Sequence, residues 1–229
     1  MITQIDYNKL IGVDETGVGD YFTPVVSVAV FVPQENIDAV IRLGVKDSKK
    51  LSDAKITEIF DKLQHLVIWK KTLLSQQGYN KLIKQNINNN EIKTLIHCNS
   101  IRQLENYLNN KVDIIIDQYT NSVNTFERHI IKLQNIEWLA FQKPRGKIYL
   151  ETKAEDKSIS VAAASIIARK LLLDYMKEQE KKFNFKFQLG ASQKVEQNAR
   201  EFVEIYGHAK LIEVAKISFK TTQKIINKN

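Results

Sequence analysis

The segment from Pro24 to Val32, PVVSVAVFV, constrains the folding of this chain more than any other. It is β-branched enough to form a buried strand, and Pro33 ends it, because proline brings no N–H to a ladder. A buried strand needs neighbours, and the sequence offers several. Leu10 to Asp14 is a short apolar run, broken by Gly17 and Gly19. Val67 to Leu74 reads as a further strand, and Val112 to Ile116 as another. Ile136 to Phe141 and Ile148 to Glu151 are two short candidates on either side of the basic turn Lys143-Pro144-Arg145-Gly146-Lys147.

Helical periodicity occupies much of the intervening chain. Glu35 to Leu43 carries a helical apolar pattern, and Ser52-Asp53 supplies an N-cap and first-turn acid ahead of Ile56, Ile59, Phe60 and Leu63. Ile92, Leu95, Ile101, Leu104 and Leu108 trace one helical face, and Phe126, Ile130, Ile131 and Leu133 fit a second. Ser158 to Met176 has the clearest helical pattern, with Ala162-Ala163-Ala164-Ser165 small enough for close approach to a sheet or another helix. Phe202 to Tyr206 and Leu211 to Ile217 suggest two more helices around Gly207. The polar stretch QQGYNKLIKQNINNN, residues 76–90, reads as a mobile link. Strands first, then alternating helix and strand, predict a mixed α/β layer architecture.

The 229 residues suffice for one sizeable core. No stretch approaches the roughly 20 apolar residues of a membrane-spanning helix. MITQIDYNKL carries Asp6 and no apolar core, so it does not read as a signal peptide. A lone cysteine, Cys98, has no partner for an internal disulfide and reads as a small apolar residue, which fits a reducing cytoplasm. The net charge of +8 and a pI near 9.3 favour a polyanionic partner.

Within this basic chain, carboxylates stand at exposed ends of apolar runs. Asp14-Glu15 follows the first strand and precedes a Gly-x-Gly turn, and Asp117 closes VDIIIDQ. Adjacent strand residues face opposite ways, although a turn at the strand end could bring both carboxylates to one opening. Ordinary explanations exist: Asp-Glu before glycine is common turn chemistry, and Asp117 could cap a helix beginning near Asn124. Alternatively, hard oxygen ligands of this kind suit Mg²⁺ or Mn²⁺. Two-ion phosphodiester hydrolysis needs carboxylates that bridge metals roughly 3.5–4 Å apart.

Taken together the motifs resemble the type 2 class of ribonucleases H. DETGVGDYFTPVVSVAVFV is similar to the first-strand motif of that class, GVKDSKKLS to its DSK loop and VDIIIDQY to its central acidic strand. TKAEDKSISVAAASIIARKLLLDYM is similar to its last carboxylate motif and following helix. The resemblance spans roughly residues 10 to 207. Within the class, Gly17-Val18-Gly19 without a central arginine, the Gly19-Asp20-Tyr21-Phe22 run, the Asp117-Gln118-Tyr119 triplet and Glu155 in place of aspartate resemble the HIII rather than the HII subgroup.

The resemblance implies a ribonuclease H-like mixed sheet flanked by helices. Residues 1–207 would form the catalytic domain, and 208–229 a basic helical extension of the same unit. It implies that Asp14, Glu15, Asp117 and Glu155 are catalytic and bind two Mg²⁺ or Mn²⁺ ions, with Glu151 and Asp156 close enough in sequence to stand in. Gly17, Val18 and Gly19 would approach the RNA strand and read 2′-hydroxyls, since glycine offers no Cβ to block the approach. Lys46, Ser48 and Lys49, with Ser165 and Arg169, would bind backbone phosphate. For these the alternatives are a solvated loop, helix packing and a surface ion pair, and Asp47 would orient Lys49 or cap the helix.

The implied activity is endonucleolytic hydrolysis of the RNA strand of RNA/DNA hybrids, giving 5′-phosphate and 3′-hydroxyl ends. The alternatives are HII-like incision at single ribonucleotides in DNA and a catalytically silent hybrid-binding protein. The expected state is a cytoplasmic monomer, with no protein partner to be inferred. HIII enzymes typically carry an N-terminal substrate-binding domain resembling the TATA-box-binding protein. Only about ten residues precede the first strand here, so that domain is expected to be absent. Lys216, Lys220, Lys224 and Lys228 recur every four residues, which on one helix would form a basic stripe, read either as a solvated face or as a source of salt-sensitive affinity.

Overall fold

The computed structural model describes residues 5–46 and 48–226. Five strands form one sheet: β1 (Ile11–Thr16), β2 (Val25–Phe31), β3 (Ile68–Leu74), β4 (Ile114–Asp117) and β5 (Ile148–Glu151). Their order is β3-β2-β1-β4-β5. β1, β2 and β3 form an antiparallel meander, whereas β4 and β5 add in parallel to β1. Parallel addition requires crossover connections, and these are helical. The helices are α1 (Ile37–Arg42), α2 (Asp53–Leu63), α3 (Gln76–Lys84), α4 (Asn89–Leu108), α5 (Val123–Gln134), α6 (Ala154–Lys157), α7 (Ile159–Phe183), α8 (Gln193–Tyr206), α9 (His208–Val214) and α10 (Lys220–Ile226). The mixed sheet flanked by helices is the architecture expected of the chain.

Alternation along β2 divides the core. Val26, Val28 and Val30 pack with Ala163, Ala164 and Ile167 of α7, while on the other face Ile11, Val13, Ile114 and Ile116 pack with Ile101 and Leu104 of α4. The small residues 162–165 are all buried, so α7 lies close on the sheet. Gly12 permits this: a Cβ there would sit 2.2 Å from Val161 N and 2.3 Å from Ser160 C. Cys98 is fully buried in the apolar cluster on the α4 side. Among the described residues no helix is long and apolar enough to cross a membrane.

Three sequence expectations are corrected. The polar segment read as a link contains α3, which is capped by Ser75 and buries Tyr79, Asn80 and Leu82. Its inward face includes Gln76 and Asn80, so apolar periodicity understates it. Ile136 to Phe141 is not a strand; Glu137–Leu139 form a 3₁₀ turn, and Ala140 adopts a left-handed conformation (φ +46°) that no extended run accommodates. The lysine stripe does not form either. α9 ends at Val214 and α10 begins at Lys220, so Lys216 lies between helices, where it is fully buried. Lys224 pairs with Glu196, and Lys228 lies outside the described residues.

Because the atoms facing Gly12 are backbone, they cannot yield by rotating a side chain. Gly12→Ala is expected to destabilise the fold by about 1–3 kcal/mol or more through overpacking. Urea unfolding checks this as a lowered midpoint, and an unchanged midpoint would contradict the close approach of α7.

Candidate active site

β1 continues through Thr16, with Asp14 opposite Val28 and Glu15 opposite Ser27 of β2. The acidic pair therefore lies inside the strand, and no turn swings both carboxylates to one side. Asp14 faces α7 and Glu15 faces α4, as strand alternation requires. Val13 pairs with Ile116 in the parallel β1–β4 ladder, so Asp14 and Asp117 lie one step beyond on neighbouring strands, both on the α7 face.

Asp14 accepts the Glu15 N–H at 2.8 Å and a hydrogen bond from the Ser165 hydroxyl. Burial, and then the charge of Glu15, push its carboxyl up to about 8, against the Ser165 and backbone hydrogen bonds and the charge of Lys49. Glu15 has the opposite environment. Burial would raise it, but His97 and Lys93 outweigh burial and hold it down at about 2. Lys93 Nζ lies 2.6 Å from one carboxylate oxygen and His97 Nε2 3.0 Å from the other. The other His97 ring nitrogen lies 3.1 Å from the Ser27 hydroxyl, and the Tyr119 ring sits beside both partners of Glu15, 5.0 Å from Lys93 Nζ and 5.5 Å from the imidazole.

Asp117 caps no helix near Asn124, because Ser122 caps α5. Asp117 Oδ1 instead accepts the Ala154 N–H at 3.1 Å, at the start of α6. Lys153, in a left-handed conformation (φ +54°), turns the chain so that this first N–H meets the carboxylate. Glu155 follows, half-buried in the first turn of α6. The two possible substitutes are engaged elsewhere: Glu151 accepts from Lys157 (2.6 Å) and Tyr7 (3.0 Å), and exposed Asp156 pairs with Lys50. Among the described residues no three His, Cys, Asp or Glu side chains converge closely enough to hold a metal ion. Glu15 faces α4, away from Asp14 and Asp117.

A cleft of about 350 Å³ opens beside Asp14, bordered by Glu15, Ser48, Lys49, Asp53, Ser165 and Arg169. The Ser48 N–H donates to Ser165 Oγ at 3.2 Å, and the two hydroxyls lie 2.8 Å apart, which docks the DSK loop onto α7. Arg169 makes a two-pronged pair with Asp53 at 3.0 and 3.2 Å, the surface ion pair considered as its alternative. Lys46 is exposed and does not border the cleft; Asp47 lies outside the described residues. In the Gly17-Val18-Gly19 turn, Gly17 is buried with φ +85°, Val18 is half-buried, and Gly19 is exposed with open space where a Cβ would stand. Sequence reasoning gives no role to Lys93 or His97, names Tyr119 only within a motif, and puts Lys216 in an exposed stripe. The i, i+4 spacing of Lys93 and His97, which puts them on one helical face, is the signal that could have found them.

Residues 11–222 match the family model described as Ribonuclease HII. The chain belongs to the ribonuclease HII family. Ribonuclease HIII of Bacillus mycoides (strain KBAB4) is 34% identical over 218 residues, which covers 94% of this chain and 67% of the relative. Ribonuclease HIII of Lactococcus lactis subsp. lactis (strain IL1403) is 36% identical over 219 residues, covering 95% and 72%. Among solved structures, Bst-RNase HIII in complex with Mn²⁺ superimposes with a TM-score of 0.88 at 30% identity, covering 96% of this chain and 70% of that one. Ribonuclease H2 of Pyrococcus horikoshii OT3, at 24% identity and a TM-score of 0.77, shares the fold.

The electrostatics of Asp14 make a sign-definite prediction. A carboxyl raised on folding contributes stability that is complete below its unfolded value and lost as pH rises through its folded one. Metal-free protein should therefore lose stability between about pH 4 and about pH 8 through this group. Asp14→Asn keeps the acceptor oxygen and removes the charge. It is expected to melt like the parent near pH 4 and about 2–4 °C higher above pH 8, equivalent to roughly 1 kcal/mol in a chain of this size. Thermal melts with chelator across that range check the divergence.

Proposed function

We propose that this protein is a metal-dependent endonuclease that hydrolyses the RNA strand of RNA/DNA hybrids, leaving 5′-phosphate and 3′-hydroxyl ends. The reading is carried by the placement of Asp14 and Asp117 on one face of neighbouring parallel strands, with α6 hydrogen-bonded to Asp117 and bearing Glu155. The match to ribonuclease HIII sequences, and the Mn²⁺ in the Bst-RNase HIII structure, support it. This chain spans 67–72% of those two relatives' length, and we assign the cutting activity to the segment they share.

The donor set fits Mg²⁺ or Mn²⁺, since it consists of carboxylate oxygens and leaves room for water and phosphate. Asp14, Asp117 and Glu155 would hold the metal from the α7 side, with Glu15 as the fourth ligand from across the strand. Divalent ions bound there supply a nucleophilic hydroxide at neutral pH and neutralise charge on the departing oxygen. The protein's own part is positioning. The Ser165 hydroxyl and the Glu15 N–H hold Asp14, the Ala154 N–H orients Asp117, and Lys93 with His97 keeps Glu15 ionised. Lys49 and Ser48 border the cleft on the side where substrate phosphate would lie, and exposed Gly19 offers its backbone to the RNA strand. Arg169 would contact phosphate only by exchanging its bond to Asp53. All four ligands come from one chain, so we infer a monomer, acting in the cytoplasm.

We favour an HIII-type preference for runs of ribonucleotides over incision at a single one, on Glu155 in α6 and the lack of a central arginine in Gly17-Val18-Gly19. Asp14→Asn and Asp117→Asn should each lower Mg²⁺- or Mn²⁺-dependent cleavage by more than the roughly 10–100-fold that loss of an outer-sphere partner causes, while hybrid binding persists. Full activity in either variant would sink the ligand assignment. Duplexes containing one ribonucleotide or four, assayed with each metal and with chelator, separate the HIII-type from the HII-type reading; only the longer run should be cut.

A further inference from the structure

Lys216 has no exposed surface, an unusual place for a strongly hydrated ammonium. Its Nζ donates to the backbone carbonyls of Gly17 and Asp20 and lies 3.5 Å from Thr23 Oγ1, with the rings of Tyr79 and Phe219 at 5.6 and 5.5 Å. Gly17 and Asp20 are the first and last residues of a tight turn, closed by the Asp20 N–H on Gly17 O at 3.3 Å. Thr23 Oγ1 also donates to Gly17 O, at 3.1 Å. Both carbonyls are thus drawn inward, and the part of the turn left at the surface is Gly19, flanked by half-buried Val18.

The lysine itself is rigidly placed. Its N–H donates to Tyr21 O at 2.9 Å, and Asn80 of α3 grips the residues on either side, donating to Ala215 O and accepting from Ile217 N. Burial pushes the ammonium down to about 7, against the charge of Asp20, and a neutral amine would still have two N–H groups for two carbonyls. An apolar residue would avoid the desolvation but leave both carbonyls with one donor fewer. A buried lysine at this point acts on the shape of the turn through the two carbonyls it holds.

We propose that Lys216 is a positioning residue for hybrid recognition, holding the Gly17 and Asp20 carbonyls inward so that the backbone of Val18 and Gly19 meets the RNA strand. The inference rests on the hybrid-cleaving function proposed above and adds to it a role for the segment after α9. It also gives the residue a task unrelated to direct phosphate contact, which its burial forbids.

The test compares Lys216→Met with Tyr21→Phe, which loses only the Tyr21–Thr222 hydroxyl contact in the same region. KM and kcat are measured on a labelled hybrid, and binding of hybrid and of a DNA duplex of the same sequence is measured in the Asp14→Asn background. Lys216→Met is expected to raise KM and weaken hybrid binding about tenfold while DNA-duplex binding and kcat change little. Tyr21→Phe should lower the melting temperature without altering the hybrid-to-duplex ratio. If Lys216→Met lowers only the melting temperature and leaves KM and that ratio unchanged, the proposal is overturned. Should Lys216→Met fail to fold, Thr23→Val decides: it removes a donor to Gly17 O, and an unchanged ratio overturns the proposal. Parent protein that neither binds nor cuts hybrids would overturn the function itself, an outcome distinct from a parent that cuts and a variant that matches it.

Discussion

The parallel pairing of β4 with β1 is the constraint on which the rest of the structure depends. It aligns Val13 with Ile116, so the next residues out, Asp14 and Asp117, are brought to one face at the end of two adjoining strands. An offset of one residue would send one carboxylate to the α4 side, because side-chain direction alternates along a strand. The apolar rows on the α4 face, Ile11 and Val13 beside Ile114 and Ile116, oppose such a shift. Core packing thus sets the relative position of two charges it does not touch. Gly12 serves the same end from the other face, since it lets α7 approach until Ser165 reaches Asp14.

Two adjacent carboxylates in one strand are tuned in opposite directions. Asp14 lies in a wall of small residues, where a hydroxyl and an N–H stabilise its charge less than burial and Glu15 disfavour it. Glu15, one residue on, meets Lys93 and His97 and stays ionised well below neutrality. The difference does not arise from local sequence, which is shared, but from the layer each side chain enters. A carboxyl raised by burial and a like charge is one whose ionised form a neighbouring cation would stabilise strongly.

How much of this was legible in the sequence depended on whether a feature was local. The strands around PVVSVAVFV, the α7 helix and the order of the acidic motifs could be read directly, because β-branching, small-residue spacing and motif order survive without tertiary context. The orientation of Glu15 could not. It depends on β1 running on to Thr16, and only pairing with β2 prolongs the strand past the acidic pair. α3 escaped because its buried face uses Gln76 and Asn80, whose amides are satisfied by distant partners: Phe22 O for one and the 215–217 backbone for the other. Lys216 misled for the same reason. A lysine at regular spacing reads as solvent-facing, and nothing local announces two backbone carbonyls from the far end of the chain.

The site is therefore held from both sides of the sheet by different means. From the α7 side come small side chains and hydroxyls, Ser165 and Ser48, which bring backbone close and leave a cleft. From the α4 side Lys93 and His97 meet Glu15, and Lys216, from the segment after α9, lies under the glycine turn that follows it. Glu15 and Gly17 are two residues apart, so the acidic pair and the glycine turn share a short connection through Thr16. The strand end that carries Glu15 and leads into the turn is thus clamped between two sets of contacts, Lys93 and His97 on one and Lys216 with Thr23 on the other.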